Sequence, residues 1–460
     1  MSEKNSIARL AITDINNLGF GVGRLPDGKV VFVAGAADGD ECDVRIIKVA
    51  RDYCVGRIER LLTPSPHRTD SPHCTVRGCG GCAYTAITYA HELEIKRRTV
   101  EAAFRKAGVS VEVGDVLTAG ACTGYRNKAQ YPVAAGRDGT PVIGFYAPKT
   151  HRVTEAAHCP LTPPVFGEIA DAVRAHAVSA GVTPYDEESG KGLLRHIYLR
   201  TSTGGEELLL TLVVTEGRYP EADRLVAELT ARFSNLVGIL LNVNAKRTNV
   251  ILGERYLTLF GRDYIYDTLA GVRLRIAPAA FYQVNHDAAE ILYRKAAELA
   301  APKSDDVLLD LYCGTGSIGL SMARGVRHLF GIEIVPDAIE CARENARAAG
   351  IANATFAVGD AKTTGAILAE HGVPRPNVIV LDPPRAGCDT DLLDTVAELS
   401  PDRLVYISCN PATLARDVAY LARYGFTLGV VTPVDLFPRT GHVESVVCLT
   451  RSDEATDITP

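Results

Sequence analysis

The spacing of hydrophobic and polar residues changes twice along the chain. In residues 1–62 apolar and polar positions alternate in short runs, for example at 42–47, one run at 30–33 is continuously apolar, and Gly/Asp turns separate the runs. This alternation predicts half-buried strands of a small antiparallel, OB-like β-barrel. The prolines of residues 63–66 predict a linker after the barrel.

The middle of the chain, residues 63–275, has a mixed pattern. Residues 90–104 repeat apolar positions with helical spacing, whereas residues 208–214 and 237–243 are continuous apolar runs of the kind found in buried strands. We therefore expect a central α+β domain with a helix early in this part and strands later in it.

In the last part, residues 276–460, short apolar runs alternate with amphipathic helical segments. Such alternation is typical of parallel strands joined by crossover helices, so we expect a doubly wound α/β domain. The predicted strands are residues 307–311, 328–332, 378–381 and 403–407.

Composition adds limits to this picture. The chain of 460 residues is too long for one ordinary domain, and its 47% of hydrophobic residues can form sizeable cores. Neither a signal segment nor a run long and apolar enough to span a bilayer is evident, so we expect a cytoplasmic protein without a membrane partner. Its twelve cysteines are then expected to be thiols, metal ligands or catalysts rather than disulfides. The net charge of −6 gives no support to nucleic-acid binding, which would depend on local basic patches.

A glycine-rich turn begins the chemistry of the last part. Gly314, Gly316 and Gly319 have the spacing G-x-G-x-x-G after a predicted strand and before a predicted helix, which is the context of a nucleotide-cofactor site. Glu333 ends the next predicted strand, where a carboxylate can bind ribose hydroxyls. These residues alone do not separate a methyltransferase from a nicotinamide dehydrogenase.

The residues after the fourth predicted strand separate the two classes. Asp382 is followed by Pro383, Pro384 and Arg385, at the usual position of a methyltransferase's substrate loop. A dehydrogenase has no need for an acid followed by two rigid prolines there. The pattern therefore favours a methyltransferase, with an ordinary strand-ending turn as the alternative.

Cys409 is the candidate nucleophile. It ends a predicted strand and precedes Asn410, Pro411 and a predicted helix, whose N-terminus helps to hold a thiolate. A thiolate that attacks carbon 6 of a uracil makes carbon 5 nucleophilic enough to take a methyl group from a sulfonium. A base must then remove the carbon-5 proton, and Glu444 is the candidate. In isolation a buried structural thiol would be the better interpretation of Cys409, and only the neighbouring motifs reverse that preference.

Other methyltransferase classes fit the motifs less well. RNA cytosine-5 enzymes typically carry a cysteine directly after the proline of the fourth-strand motif, where this chain has Arg385, and Cys388 lies too far along. Enzymes that methylate amino groups carry an aromatic residue after the prolines, which is also absent. Uracil is therefore the preferred target base.

A second group of cysteines predicts a metal site. Cys74, Cys79 and Cys82 lie within nine residues, and Cys159 directly precedes Pro160. A cysteine followed by proline, after a tight group of thiolates, recurs in ferredoxin-type ligation, and four thiolates also suit structural zinc. Unligated buried thiols are the third interpretation, which the neighbouring glycines and the lack of an apolar stripe make less favourable.

Two short basic segments are candidates for RNA contact. Residues 96–98 contain three consecutive cations, and residues 125–131 interleave Arg and Lys with Tyr and Gln. Phosphate contact combined with aromatic stacking would suit RNA. Solvated charged faces are the alternative for both segments.

Five motifs together resemble the RNA uracil-5-methyltransferase family, and the resemblance covers nearly the whole chain. They are residues 281–285 (FYQVN), 310–316 (DLYCGTG), 382–385 (DPPR), 408–411 (SCNP) and 442–445 (HVES). The N-terminal barrel is similar to a TRAM domain, an OB-like module that binds RNA.

This resemblance implies a class I methyltransferase fold at 276–460 and an S-adenosylmethionine-dependent enzyme, most like the bacterial 23S ribosomal RNA uracil-C5 methyltransferases. It implies a covalent bond between Cys409 and the uracil, with Glu444 as the base, in a monomer acting on 23S rRNA. A transfer-RNA enzyme and a catalytically idle RNA-binding metal module are the alternatives. The residues implied to contact S-adenosylmethionine or the target uracil are Gln283, Tyr312, Glu333 and Asp382. The residues implied to hold a [4Fe–4S] cluster are Cys74, Cys79, Cys82 and Cys159.

Overall fold

A computed structural model describes residues 3–451 of the chain. The first part is a closed five-stranded barrel with the strand order β1-β2-β3-β5-β4. Its strands are β1 (Ile7–Ile15), β2 (Phe20–Arg24), β3 (Val30–Ala34), β4 (Glu41–Val49) and β5 (Tyr53–Thr63). The predicted barrel is thus confirmed, but the expectation that it is purely antiparallel is wrong, because β3 and β5 pair in parallel.

The central part is built on a seven-stranded sheet with the order β12-β11-β10-β9-β6-β7-β8. Its strands are β6 (Lys128–Ala135), β7 (Pro141–Tyr146), β8 (Val153–Glu155), β9 (Leu194–Thr201), β10 (Leu208–Val214), β11 (Leu236–Val243) and β12 (Arg255–Gly261). The helices of this part are α1 (Tyr89–Lys106), α2 (Pro164–Ser179) and α3 (Ala222–Arg232). One face of the sheet packs on α2 and α3, and the other face contributes Leu209 and Leu240 to the core of the last part.

The last part is a doubly wound sheet with the order β17-β16-β15-β18-β19-β22-β20. A hairpin of β13 (Ile265–Leu269) and β14 (Val272–Ile276) packs against the same core. The strands are β15 (Val307–Leu311), β16 (His328–Glu333), β17 (Ala354–Val358), β18 (Val378–Leu381), β19 (Arg403–Ser408), β20 (Phe426–Leu428), β21 (Thr432–Val434) and β22 (Glu444–Arg451). The helices are α4 (His286–Ala300), α5 (Ser317–Met322), α6 (Pro336–Ala348), α7 (Thr364–Glu370), α8 (Thr390–Leu399) and α9 (Pro411–Leu421).

The order of this sheet is that of a doubly wound fold in which one antiparallel strand, β22, is inserted next to β19. The strands β15, β16, β18 and β19 begin where the apolar runs predict them, and each is fully or mostly buried. Continuous apolar runs are expected for strands that are covered by helices on both faces. In the described residues no helix is both long and apolar enough to cross a membrane.

The three parts meet at the turn between β1 and β2. A Cβ atom on Gly19 would overlap the backbone of Ala83, and a Cβ atom on Gly441 would overlap the carbonyl oxygen of Asn17. Close packing at these two glycines therefore fixes the barrel against the cysteine-containing segment and against the loop that precedes β22.

A buried ionic network connects α1 to that same loop. Lys96 is 1% exposed, and its Nζ donates to Glu92 at 2.8 Å, to Asp435 at 2.7 Å and to the carbonyl of Phe437 at 3.1 Å. The backbone N–H of Arg439 donates to Glu92 at 2.7 Å. The expectation that residues 96–98 present Lys96 to RNA is therefore wrong, because this cation neutralises two buried carboxylates.

Candidate active site

The reversal of strand order between β15 and β18 creates a crevice at the carboxyl edge of the sheet, the position where doubly wound folds bind their ligands. Glu333 ends β16, Asp382 follows β18 and Cys409 follows β19, so the fold brings all three to this edge. The neighbouring parallel strands end together, which explains why residues far apart in the sequence share one site.

Cys409 and Glu444 lie side by side because β19 and β22 are antiparallel. Ser408 pairs directly with Ser445 in this ladder, so Cys409 and Glu444 occupy the next position on the two strands. Glu444 is buried and Cys409 is half-buried. Burial and the nearby Glu444 carboxylate raise the pKa of Cys409, while the guanidinium of Arg385 acts in the opposite direction.

The crevice has a concentration of carboxyl groups whose charges are poorly solvated. Burial, and then the charge of Asp382, raise the pKa of Glu444 to about 8. Burial also raises the pKa of Asp382 and that of Asp310 to about 7. The Oδ1 atom of Asp310 has no hydrogen-bond partner in the described residues. A crevice with this donor set fits a cationic ligand, since a positive charge would stabilise the ionised carboxylates.

The glycine-rich turn is fastened to the strands on both sides. The N–H of Gly319 donates to Asp310 at 2.9 Å, and a Cβ atom on Gly319 would lie only 2.7 Å from the same carboxylate. Glu333 accepts from the N–H of Gly314 at 3.2 Å and from that of Val335 at 3.0 Å. Glu333 therefore lies directly against the turn, as the spacing of the motif predicts.

Tyr312 has a left-handed backbone conformation, with φ of 63°. A tyrosine in this region is strained by roughly 1–3 kcal/mol, which the surrounding structure must offset. Its ring packs against the core beneath α8 and α9. Burial and the neighbouring Cys388 and Asp389 raise its pKa, so its hydroxyl faces a different group of residues from the one around Cys409.

Gln283 is buried in the segment that precedes α4, and its backbone is held by the central sheet. The side chain of Asn127 donates to the carbonyl of Gln283 at 2.8 Å, and the N–H of Asn127 donates to that of Val284 at 2.9 Å. Phe281, two residues earlier, is 66% exposed. An exposed aromatic beside the crevice suits base stacking, and sequence alone gave no reason to separate Phe281 from the buried Tyr282.

Arg385 belongs to the site, but the sequence did not reveal its role there. Its Nη2 lies 3.3 Å from Nδ1 of His442, and its carbonyl accepts from the side chain of Asn410 at 3.0 Å. The guanidinium of Arg385 opposes part of the rise in the pKa of both Cys409 and Glu444, and so favours the charged forms of these two groups. The motif placed Arg385 after the prolines, but only the fold shows that its side chain turns toward Cys409.

The four cysteines of the predicted metal site come together. Burial raises the pKa of the Cys82 thiol, and the charges of Cys159, Cys79 and Cys74 add to this effect. All are free thiols. In residues 3–451, however, no three His, Cys, Asp or Glu side chains converge closely enough to hold a single metal ion. The metal site is thus not confirmed and stays a prediction.

The basic segment 125–131 is only partly available to a ligand. Tyr131 is fully buried, so the expectation that it stacks on RNA is wrong. Tyr125 is half-buried and donates to the carbonyl of Pro438 at 2.9 Å. Arg126 and Lys128 are half-buried and keep part of their surface open.

Comparison with known proteins agrees with this geometry. The family model described as tRNA (uracil-5-)-methyltransferase matches residues 202–452, and the TRAM domain model matches residues 2–58. An uncharacterised RNA methyltransferase of Clostridium tetani is 38% identical over 449 residues, which are 97% of each chain. One from Oceanobacillus iheyensis is 38% identical over 450 residues, again 97% of each chain.

A solved structure is similar over nearly the whole length. The tRNA (uracil-54, C5)-methyltransferase of Pyrococcus abyssi, in complex with S-adenosyl-L-homocysteine, has a TM-score of 0.77 and 27% identity. The match covers 96% of this chain and all of that one. The chain therefore belongs to the tRNA (uracil-5-)-methyltransferase family, as an S-adenosylmethionine-dependent RNA uracil-5-methyltransferase with a TRAM domain.

Proposed function

We propose that the protein methylates carbon 5 of a uridine in 23S ribosomal RNA, with Cys409 as the nucleophile and Glu444 as the base. The observation that carries this proposal is the position of the two side chains next to each other at the end of the β19–β22 ladder. Asp382 and Arg385 complete the immediate surroundings of the pair.

The proposed reaction uses each group once. The Cys409 thiolate forms a bond to carbon 6 of the uracil, and the electrons of the 5,6 double bond move onto the ring carbonyl as an enolate. Carbon 5 then takes the methyl group that the sulfonium cofactor supplies, and the carbon–sulfur electron pair stays on the departing thioether. Glu444 removes the proton from carbon 5, the 5,6 double bond forms again, and the bond to Cys409 breaks.

The electrostatics of the crevice support these roles. A Glu444 carboxyl with a pKa of about 8 is a stronger base than an exposed glutamate, so it suits removal of a proton from carbon. Arg385 opposes the rise in the pKa of Cys409 and can pair with the thiolate that is formed before attack. The side chain of Asn410 caps α9 by accepting from the N–H of Ala412 at 3.1 Å, which leaves Cys409 just before a helix N-terminus.

Four residues are proposed to hold S-adenosylmethionine or the target uracil. Glu333 is suited to the ribose hydroxyls because its carboxylate is already held at the glycine turn. The ionised carboxylate of Asp382 suits the positive end of the cofactor. Gln283 suits the uracil edge, because its amide makes no side-chain hydrogen bond in the described residues. Tyr312 is proposed to form the wall of the cofactor site on the side away from Cys409.

Cys74, Cys79, Cys82 and Cys159 are proposed to bind one [4Fe–4S] cluster. Zinc needs all its sulfur ligands about 2.3 Å from one point, whereas a four-iron cube separates its thiolates further. The charges of the four thiols interact, and Cys159 directly precedes Pro160, a pair that recurs in ferredoxin-type ligation; these two observations support a cluster. In the family the chain resembles, the ribosomal-RNA members carry this cluster, which supports 23S rRNA as the substrate.

Transfer RNA is the second candidate substrate, because the Pyrococcus abyssi enzyme that aligns with this chain is named for uracil 54 of tRNA. Unmodified 23S rRNA and tRNA transcripts, each incubated with the protein and labelled S-adenosylmethionine, separate the two. Mapping of 5-methyluridine across total RNA from a strain lacking the gene then identifies the site. We expect one ribosomal position to lose its methyl group, and loss confined to tRNA would reject the ribosomal assignment.

A further inference from the structure

Three cations lie together on the face of the central sheet that points toward the last part. Lys128 of β6 and Arg200 of β9 are directly opposite each other in the antiparallel ladder. Side chains at such positions leave the same face about 5 Å apart, and like charges there repel. Arg126 lies two residues before Lys128 and its charge also acts on it. Arg200 is 1% exposed, so this repulsion is not screened by water as it would be on the surface.

No carboxylate neutralises these cations within residues 3–451. Nη2 of Arg200 donates to the hydroxyl of Tyr198 at 2.9 Å and to the carbonyl of Ala280 at 2.7 Å. The Nε and Nη1 atoms of Arg200 and the Nε atom of Arg126 are buried without a partner. Each unpaired buried donor destabilises the folded protein. Burial, and then the charges of Arg200 and Arg126, lower the pKa of Lys128 to about 8.

Buried charges in folded proteins are normally paired. Arg126 also lies near the thiols of Cys82 and Cys159, but Lys128 and Arg200 have no such neighbour in the described part of the chain. A group of three cations with unused donors and no carboxylate partner in residues 3–451 therefore points to an anion that is supplied from outside the chain. A half-exposed Lys128 and Arg126 can contact such an anion directly, whereas the buried Arg200 strengthens the positive potential behind them.

The position of the group identifies the anion. Arg200 donates to the carbonyl of Ala280, and the next residue is the exposed Phe281. Asn127, which lies between Arg126 and Lys128, donates to the carbonyl of Gln283. On the other side, loss of hydration and then the charges of Arg385, Lys96 and Arg126 lower the pKa of His442 to about 4. The charges of Arg126 and Arg385 both act on His442, and that of Arg385 also acts on Cys409. The positive potential of the group therefore extends toward the nucleophile.

We propose that Arg126 and Lys128, backed by Arg200, bind a backbone phosphate of the RNA beside the nucleotide whose base enters the crevice. The proposal deepens the proposed function and rests on RNA as the substrate, but it does not depend on which RNA is modified. A phosphate contact is independent of sequence, so ribosomal and transfer RNA would both use it.

Lys128→Met tests the site, because methionine keeps the length of the side chain and removes its charge. Lys303→Met is the matched control, since Lys303 is exposed near the amino end of β15, at the opposite edge of the sheet from the crevice. Affinity for an unmodified 23S rRNA transcript and for a tRNA transcript is measured without cofactor between 50 and 200 mM KCl. We expect Lys128→Met to bind both RNAs at least about fivefold more weakly and to reduce the magnitude of the salt slope by about 0.7–0.9, the value for one phosphate.

Thermal unfolding separates a ligand-binding cation from a structural one. Removal of Lys128 relieves repulsion, so the RNA-free variant is expected to unfold at the same temperature as the wild type or a higher one. Inorganic phosphate, compared with chloride at equal ionic strength, is expected to stabilise the wild type and Lys303→Met more than Lys128→Met. Arg126→Gln provides a second variant with the same expected loss of RNA affinity and salt slope.

Two results would overturn the inference. The first is that both Lys128→Met and Arg126→Gln bind RNA with the same affinity and the same salt slope as Lys303→Met. The other is a loss of S-adenosylmethionine affinity with RNA binding unchanged, which would assign the cations to the carboxylate of the cofactor. Methylation is not measured in this test, so an error in the proposed target RNA or in the role of Cys409 would leave its result unchanged and would appear in the methylation assays instead.

Discussion

Lys96→Met is expected to destabilise the protein strongly because it removes the cation that bridges two buried carboxylates, Glu92 and Asp435. Lys96, Glu92 and Asp435 are each at most 1% exposed, and Lys96 bonds both carboxylates at 2.7–2.8 Å. The network fastens α1 to the loop that leads into Glu444, so its loss affects the active site as well as the fold.

The magnitude follows from the partners that are left behind. Breaking a buried ion pair by removing one partner costs about 3–5 kcal/mol, because the other charge stays buried. Glu92 keeps the N–H of Arg439 and, at 3.5 Å, its guanidinium, and Asp435 keeps the hydroxyl of Tyr89 at 2.8 Å, so neither carboxylate loses every partner. A loss of about 3–5 kcal/mol corresponds to roughly 6–20 °C in the Tm of a unit of 150–250 residues.

The loss should also depend on pH. Burial raises the pKa of Glu92 even though the opposing charge of Lys96 is present. Without Lys96 the carboxyl can escape the penalty at low pH by binding a proton, whereas at high pH it must remain charged and buried. The folded variant therefore binds more protons than the unfolded chain above about pH 4.3, and its stability falls as pH rises.

Thermal unfolding followed by circular dichroism measures these differences. Arg97→Met is the control, because Arg97 is a neighbour on the same helix that makes only a surface ion pair with Glu101, at 3.4 Å, and its loss should cost at most about 1 kcal/mol. Replacing Glu92 and Asp435 by their amides together with Lys96→Met should restore most of the stability. Lys96→Met as stable as Arg97→Met, or no recovery in the triple variant, would refute the account of the network.

Three further outcomes are expected. Because the pKa of Glu444 is raised to about 8, the free enzyme should lose stability as the pH rises from about 5 to about 8. Denaturant titrations should show a weaker dependence of stability on pH in Glu444→Gln. An unchanged dependence would show that the carboxyl is solvated. Gly441→Ala should weaken the packing of the barrel, because the added Cβ overlaps Asn17. Limited proteolysis between the barrel and the rest of the chain should then be faster than in the control Gly365→Ala, whose Cβ meets nothing within 4 Å. Equal rates of proteolysis would contradict this close packing. Anaerobically purified protein should be brown with about four irons per chain, and Cys159→Ser should lose the colour; stoichiometric zinc without visible absorbance would reject the cluster.

The sheet of the last part and half of its site follow from sequence alone for a physical reason. Parallel strands that are buried on both faces must be continuous apolar runs, and their carboxyl ends share one edge, so Glu333, Asp382 and Cys409 had to meet near the glycine turn. The apolar runs therefore predict that these residues lie at the ends of their strands, which is where the structure has them; their roles stay a prediction.

The remaining features depend on contacts between distant segments, which the spacing of residues does not encode. The insertion of β22 beside β19 brings Glu444 to Cys409. The need for a base made Glu444 a candidate, but the sequence did not predict this strand pairing. Charge alone also could not distinguish Lys96, which is buried in an ionic network, from Lys128, which has no acidic partner in the described residues. Both occur in short basic segments, but Lys96 meets Asp435, 339 residues away, as well as Glu92 one turn earlier on its helix, whereas Lys128 meets no carboxylate within residues 3–451.

The central claim, that Cys409 forms a covalent bond to the uracil and Glu444 releases it, is tested most directly by trapping the adduct. Glu444→Gln is incubated with unmodified RNA and S-adenosylmethionine, and protein–RNA complexes are separated on denaturing gels. We expect a methylated adduct that accumulates in Glu444→Gln, persists when Cys388→Ala is added, and disappears when Cys409→Ala is added. Normal product release by Glu444→Gln, or methylation by Cys409→Ala, would contradict it.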